Sequence, residues 1–282
     1  MTRPAALLLL LATLAAGAHP AAAGVLRFHA RDGRALTLGE LAQDLGGVRA
    51  VFLGERHDDP LHHEVQLRVL DALHARDVDL ALGLEMFEAG AQPELDRWNR
   101  GELLPSGLAA AFAAGWDFTL WPLYRPIFLY ARNHGIPLVA LNAPRHVVLK
   151  VGREGFESLG EEERRELRVV RCDVDERYRN LLRQVLGLKG DEEGEAFGRF
   201  CEAQVVWDTV MANRALDYLE AHPAKLLVVL AGRFHAWRHG IPEQMRRRRP
   251  DLPTRVILPQ LDPALADYGA LARDADYVWE VR

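Results

Sequence analysis

Five short, mostly apolar runs divide this chain and constrain its fold more than any other feature. Each run is four to six residues long, which suits a strand and is too short for a typical helix. Runs of Val and Leu without polar alternation are typical of strands that are buried on both faces. The predicted buried strands are 50–53, 80–84, 137–141, 226–231 and 254–258. The runs 25–29 and 277–281 are predicted to be edge strands.

Helical patterns lie between most of these runs. Asp59-Pro60 combines an N-cap residue with a proline suited to the first helical turn, and an apolar stripe follows it at helical spacing. A second helix is predicted at 125–133, just before the third buried strand. Strands that alternate with helices predict an α/β domain with a mostly parallel central sheet and helices on both faces.

The first 23 residues have the pattern of a cleavable secretory signal. Arg3 supplies a positive start, residues 5–18 are apolar, and Ala21-Ala22-Ala23 matches a small-residue cleavage site. The apolar stretch is shorter than the roughly 20 residues that a membrane span needs, so no transmembrane segment is expected. We expect a single domain at 24–282, periplasmic or secreted. A helical insertion or lid is predicted at about 146–222, where the alternation is interrupted.

Charge and cysteine content narrow the function classes. The formal net charge is −5, and a mildly acidic protein is a poor candidate for general nucleic-acid binding. The two cysteines, Cys172 and Cys201, have no Cys-x-x-Cys partner, which argues against a cysteine zinc site. In an oxidising compartment they form either a disulfide or two buried free thiols.

The tetrad Gly-x-x-His follows two of the predicted strands. The first copy runs from Gly54 to His57 and the second from Gly232 to His235, 178 positions later. A glycine at this point is expected to let the backbone turn sharply out of the sheet. The carboxyl ends of strands in an open α/β sheet face the ligand crevice, so the two imidazoles are predicted to meet over one pocket.

Other polar residues also follow the buried strands. They add two carboxylates, an amide and a guanidinium group to the same edge: Glu55, Glu85, Asn142 and Arg145. His57, Glu85 and His235 form a ligand set for a divalent metal such as Mn, Co or Zn, or they do acid/base chemistry without metal. Arg145 suits a carboxylate or propionate. The neighbouring His62 and His63 are interpreted as surface or helix-entry residues.

Four motifs together resemble a known family. They lie at 53–60 (Leu-Gly-Glu-Arg-His-Asp-Asp-Pro), 83–87 (Gly-Leu-Glu-Met-Phe), 141–145 (Leu-Asn-Ala-Pro-Arg) and 231–235 (Ala-Gly-x-x-His). This combination resembles the ChaN-type haem-binding uptake proteins of the Tiki, TraB and erythromycin-esterase superfamily. The resemblance extends over almost the whole chain after the leader, including Trp207-Asp208 in the predicted insertion.

The resemblance implies an exported protein that binds haem or another porphyrin-like ligand and takes part in iron acquisition. It further implies haem ligation by tyrosine between paired subunits, hence a haem-linked homodimer. Tyr124 and Tyr178 are the candidate ligands. The chain lacks the lipobox cysteine of lipoprotein members, so a membrane anchor is not implied. The alternatives are a metal-dependent hydrolase of peptidase or esterase type that uses His57, Glu85 and His235, and a scaffold that has lost both functions.

Overall fold

The structure is a computed structural model that describes residues 25–167, 172–188, 194–260 and 274–281. The predicted leader at 1–23 lies outside them. The strands are β1 Leu26–Ala30, β2 Ala35–Leu36, β3 Ala50–Glu55, β4 Leu80–Glu88, β5 Leu138–Asn142, β6 Leu226–Gly232, β7 Thr254–Pro259 and β8 Tyr277–Val281. The helices are α1 Leu38–Leu45, α2 Pro60–His74, α3 Gln92–Asn99, α4 Pro105–Gly115, α5 Trp121–Asn133, α6 Arg145–Glu154, α7 Glu161–Leu167, α8 Glu176–Val185, α9 Glu195–Ala221, α10 Arg233–Ala236 and α11 Ile241–Arg248.

The described strands form one eight-stranded sheet in the order β2-β1-β8-β7-β3-β6-β4-β5. Strand β1 is antiparallel to both of its neighbours, and all the other pairs are parallel. The predicted α/β class with a mostly parallel sheet is therefore confirmed. The prediction of edge strands at 25–29 and 277–281 is wrong, because β8 lies between β1 and β7 and the short β2 covers β1. The true edges are β2 and β5.

Helices pack on both faces of the sheet, and alternate residues of each strand face opposite layers. In β3, Val51 and Leu53 pack toward α1, α2 and α5, whereas Ala50 and Phe52 pack toward α6, α9 and α11. The described parts of the stretch at 146–222 contain helices and no strand. Its long helix α9 buries an apolar side against β5 and β6, so it forms a layer on the sheet face and is not a lid.

One of the two predicted helices begins at its predicted residue, and the other begins earlier. Helix α2 begins at Pro60 as predicted, and the Asp59 carboxylate accepts a hydrogen bond from the backbone N–H of Leu61 at 3.0 Å. Helix α5 begins at Trp121, four residues before the predicted start. Pro122 occupies its first turn, the position that proline tolerates best, and Pro126 falls inside the helix.

The exposed side of the edge strand β5 is protected by two amide side chains of α3. Asn99 donates to the carbonyl of Leu138 at 3.1 Å and accepts from its N–H at 2.9 Å. Gln92 accepts from the N–H of Ala140 at 2.7 Å. Because these side chains pair the free backbone groups of the strand, this edge is closed to further strand pairing.

A disulfide joins Cys172 to Cys201 and resolves the alternative that the sequence left open. It ties the segment before α8 to the first half of α9. Of the helices in the described parts of the chain, none combines the length and the apolar character required to cross a membrane.

Candidate functional site

The two Gly-x-x-His tetrads lie side by side, and the glycine of each leaves space for a residue of the other. Strands β3 and β6 are parallel neighbours in which Glu55 lies opposite Gly232. A β-carbon at Gly232 would stand 2.9 Å from Nε2 of His57, and one at Gly54 would stand 3.2 Å from the α-carbon of Arg233. Gly54 lies within β3, whereas Gly232 ends β6 and is the N-cap of α10. Neither has a positive φ, so the prediction that a glycine is needed for a sharp turn is wrong. They are needed for close approach.

His57 is held from below by a buried carboxylate. Its Nδ1 lies 2.8 Å from Oε1 of Glu55, and because a carboxylate only accepts, Nδ1 carries the proton and donates. The hydroxyl of Tyr124 donates to the same oxygen and lies 3.1 Å from Nδ1 of His57. Glu55 and Tyr124 are fully buried, whereas 34% of the His57 side chain is exposed. This arrangement fixes the ring and leaves Nε2 for other partners.

The first turns of α2 complete the surroundings of Glu55. Gln66 donates to its second oxygen at 2.5 Å, and Nδ1 of His63 lies 3.6 Å from that oxygen. His63 also donates from Nε2 to the carbonyl of His57 at 3.0 Å. His62 accepts from the N–H of Arg56 at 2.7 Å. Both histidines are buried in the first turn of α2, so the helix-entry interpretation is confirmed and the surface interpretation is wrong. The first turns of α2 pack directly over the strand end.

His235 is held in the same way by a different element. Its Nδ1 donates to Oδ1 of Asp208 on α9 at 2.7 Å, and the hydroxyl of Tyr178 on α8 donates to the other oxygen of Asp208 at 2.5 Å. Asp208 is fully buried and Tyr178 nearly so. Each tetrad histidine therefore rests on a carboxylate that a buried tyrosine supports. We call these triplets the His57 relay (His57, Glu55, Tyr124) and the His235 relay (His235, Asp208, Tyr178).

Glu85 lies between the two relays, near the end of β4. One carboxylate oxygen accepts from the backbone N–H of Gly232 at 2.6 Å, and the other lies 3.8 Å from Nε2 of His235. Asn142, at the end of β5, donates to the backbone carbonyl of Glu85 at 2.7 Å. The predicted convergence of the strand ends is therefore present in the structure for Glu85, Asn142 and the two histidines.

Arg145 takes a more peripheral place than the other predicted residues. It is exposed at the first position of α6, and its backbone N–H donates to Glu88 at 3.2 Å. Aromatic side chains border the site. Trp116 meets His57 edge-on at 5.0 Å, Trp207 meets His235 edge-on at 5.6 Å, and Phe234 is 37% exposed beside His235. The rim of the site, formed by Trp116, Trp207 and Phe234, is thus aromatic. The floor beneath it, formed by the two relays and Glu85, is charged.

The buried carboxylates beneath the two tetrad histidines raise the pKa of both imidazoles. Burial opposes a charge on His235, but Glu85 and Asp208 outweigh it and raise the pKa of His235 to about 9. Burial likewise opposes a charge on His57, and the hydrogen bond to Glu55 with the charge of Glu85 raises its pKa. Burial and the adjacent carboxylates raise the pKa of Tyr124 and of Tyr178. Both phenols therefore remain protonated donors.

The predicted metal triad does not form a preassembled metal centre. Across the described ranges, no group of three or more His, Cys, Asp or Glu side chains is placed to hold a metal ion. His57 and His235 direct Nδ1 into their own relays, and Glu85 is engaged by the Gly232 N–H. The arrangement instead suits proton transfer, or binding of a ligand that meets two imidazoles.

Sequence reasoning assigned no role in this site to Gln66 and Asp208. A signal existed for Asp208, since it belongs to the Trp207-Asp208 pair that contributes to the family resemblance. None existed for Gln66, which is an ordinary polar residue on an amphipathic helix until α2 packs against β3. Four buried polar atoms of the site have no hydrogen-bond partner: Nδ1 of His63, Oε1 of Gln66, Nε1 of Trp116 and Oδ1 of Asn142.

Comparison with known proteins places this architecture in a family. The structure is similar to that of ChaN of Campylobacter jejuni, described as binding haem cofacially, with a TM-score of 0.67 and 19% identity over 91% of this chain and 97% of that one. At this identity the likeness shows a shared fold. Protein RETICULATA-RELATED 5 of Arabidopsis thaliana, a chloroplastic protein, is 31% identical over 44% of this chain, an alignment that spans 17% of the plant protein. The model of the family described as haem-binding uptake, Tiki superfamily, ChaN matches residues 41–245. The chain belongs to this ChaN family of the Tiki superfamily.

Proposed function

We propose that this protein binds haem, or a closely related iron porphyrin, at the carboxyl edge of the sheet. The observation that carries the proposal is the partly exposed His57 side chain at this edge, in a chain that belongs to a family of haem-binding uptake proteins. Its imidazole is one-third exposed beside the Trp116 ring, over an otherwise buried floor. A flat aromatic ligand with a metal at its centre can pack on such a rim and meet an imidazole.

At this edge, the imidazoles are better placed to contact haem than the two candidate tyrosines. The phenols of Tyr124 and Tyr178 are buried and donate to Glu55 and Asp208, so neither is presented to a ligand at the rim. A phenol that ligates iron does so as an anion, whereas burial raises both pKa values. We therefore assign the tyrosines a positioning role and His57 the contact with the porphyrin. The exposed Arg145 suits a propionate.

We further propose that the protein works outside the cytoplasm, in haem or iron uptake, and that haem links two copies. The leader pattern at 1–23 and the Cys172–Cys201 disulfide support an oxidising compartment. The description of the family supports uptake. Part of the His57 side chain stays exposed in a single copy of the chain, which supports a second copy on the opposite face of the bound haem. Sedimentation with and without haemin tests the dimer, and N-terminal analysis of protein from the native envelope tests export.

Haemin titration of the purified protein tests the main proposal. We expect saturable changes in the Soret band for the wild type. Replacing His57 by Ala should weaken binding at least tenfold. The control is His222→Ala, since His222 is exposed at the end of α9 and hydrogen-bonds to the carbonyl of Tyr218 in the same helix. A wild-type spectrum that never saturates would exclude specific haem binding, and an unchanged affinity in His57→Ala would exclude the assigned contact.

A second candidate function is metal-independent hydrolysis, favoured by the two His relays around Glu85. An imidazole whose Nδ1 is oriented by a carboxylate is a typical general base, and a charged second imidazole stabilises a developing negative charge. Ester and amide substrates assayed with a chelating agent present test this candidate. Activity that His57→Ala and His235→Ala both abolish would support it, and the absence of any turnover in the wild type would exclude it.

A further inference from the structure

Two histidines meet at the opposite edge of the sheet from the candidate site. His74 ends α2, six residues before β4, and His134 follows the last residue of α5, four residues before β5. Both therefore lie near the amino ends of strands. Nδ1 of His134 is 2.9 Å from Nε2 of His74, and the ring centroids are 4.4 Å apart. His134 is exposed and His74 half-buried, so a small solute can reach the pair.

The spacing of these nitrogens suits two neighbouring ligands of one metal ion. Imidazole nitrogens bind zinc at about 2.0–2.1 Å, so two of them at a tetrahedral or right angle stand about 2.9–3.4 Å apart. The observed 2.9 Å falls within that range. A small rotation of the exposed His134 ring directs both lone pairs at one point and replaces the shared proton with a cation.

The surroundings of the pair are electrostatically suited to a cation. Two helices end here, and the unpaired carbonyls of a helix C-terminus carry partial negative charge. Asp71 lies one turn before His74 on the exposed face of α2, and its Oδ1 accepts from the hydroxyl of Tyr130 at 2.9 Å. The centroid of the Tyr130 ring also lies 4.2 Å from that of the His134 ring.

We propose that His74 and His134 form a surface site for a divalent transition-metal ion that prefers imidazole, with Cu²⁺ bound more tightly than Zn²⁺. Across the described ranges no third His, Cys, Asp or Glu side chain is placed with them, so water completes the coordination. The site clamps the ends of α2 and α5 together, so the bound ion should also raise thermal stability. It is separate from the carboxyl edge and does not depend on haem binding.

Copper binding by untagged protein tests this proposal. Calorimetry and the nitrogen hyperfine pattern in electron paramagnetic resonance should show a Cu²⁺ equivalent bound by two imidazoles. The affinity for this Cu²⁺ ion should fall at least tenfold in His74→Gln and in His134→Gln. The Cu²⁺-dependent rise in melting temperature should disappear in both variants. His222→Gln is the matched control, because His222 is also exposed at a helix end but stacks on Tyr218 without a second imidazole.

Two further measurements separate this site from the proposed haem site. His57→Ala should keep the Cu²⁺ equivalent, and the His74 and His134 variants should bind haemin as the wild type does. Circular dichroism of each variant checks that the fold is retained. Unchanged copper affinity in both single variants, or an equal loss in His222→Gln, would overturn the proposal whatever the result with haemin.

Discussion

Glu85 accepts a hydrogen bond from the backbone N–H of Gly232 at 2.6 Å, which joins the end of β4 to the second Gly-x-x-His tetrad. The same glycine has no side chain on the face that His57 occupies. One residue thus orients the central carboxylate and leaves room for the imidazole of the first tetrad. The geometry of the whole floor depends on the close contact between β3, β4 and β6.

Replacing Gly232 by Ala should displace His57. The new β-carbon would stand 2.9 Å from Nε2 and 3.1 Å from Cε1 of the ring, closer than packed atoms allow. We expect a loss of about 1–3 kcal/mol in the free energy of unfolding and weaker haemin binding. Urea unfolding and haemin titration measure the two effects. Gly39→Ala is the control, since Gly39 lies in α1 and a β-carbon there meets nothing within 4 Å. Equal behaviour of the two variants would contradict the close approach.

The stability of the protein should fall as the pH rises from about 6.5 to about 9. The pKa of His235 is raised to about 9 by Glu85 and Asp208, so the folded state holds the proton more tightly than the unfolded state. The stabilisation is complete below the unfolded pKa of about 6.5 and is lost as the pH rises through the folded pKa. Its upper size is on the order of 3 kcal/mol. Urea unfolding at pH 6 and pH 9 measures it.

Asp208→Asn provides the comparison for this pH dependence. The amide has the shape of the carboxylate without its charge, so the loss of stability between pH 6.5 and pH 9 should shrink. His222→Gln, which alters an exposed histidine, should leave it unchanged. A wild-type stability that is flat over this interval would show that His235 is not held as an imidazolium.

Tyr124→Phe and Tyr178→Phe should each lower stability without changing the class of iron ligand. Each removes one donor from a buried carboxylate, Glu55 or Asp208, which costs about 1–3 kcal/mol. The visible spectrum of the haemin complex should keep its band positions in both variants, because neither phenol faces the rim. A change in ligand-sensitive bands in one variant only would identify that tyrosine as the ligand and contradict the positioning role.

Reduction of the Cys172–Cys201 disulfide should destabilise the helical layer that carries the His235 relay. The bond closes a loop across a sequence separation of 29, for which chain entropy gives about 3–4 kcal/mol. Urea unfolding with and without a reducing agent measures the effect. The double variant Cys172→Ser/Cys201→Ser should match the reduced wild type and should itself be insensitive to the reducing agent. Equal stability of oxidised and reduced protein would show that this layer is held by packing alone.

Much of the fold could be predicted because its elements are local in sequence. Short apolar runs predicted the buried strands, and the Asp59-Pro60 start of α2 was correct because an N-cap bonds within its own turn. The start of α5 was missed because two prolines, Pro122 and Pro126, each satisfy the rules for a first turn. The positions of the strands at 25–29 and 277–281 within the sheet were predicted wrongly, because an apolar pattern indicates that a strand is buried but not which strands lie next to it.

The sequence by itself determined which residues reach the carboxyl edge. A strand carries its next residues to its own end, so Glu55, His57, Glu85 and His235 had to lie there once the runs were strands. Only the tertiary structure decided what supports them. Asp208 is 27 positions from its histidine and Tyr124 is 69 from its carboxylate. Those hydrogen bonds exist because α9 and α5 pack on opposite faces of the sheet, and burial then makes each charge depend on its partner. The choice of Gly at 54 and 232 follows from the same packing, as the reason is a distance between two strands and not a turn in one.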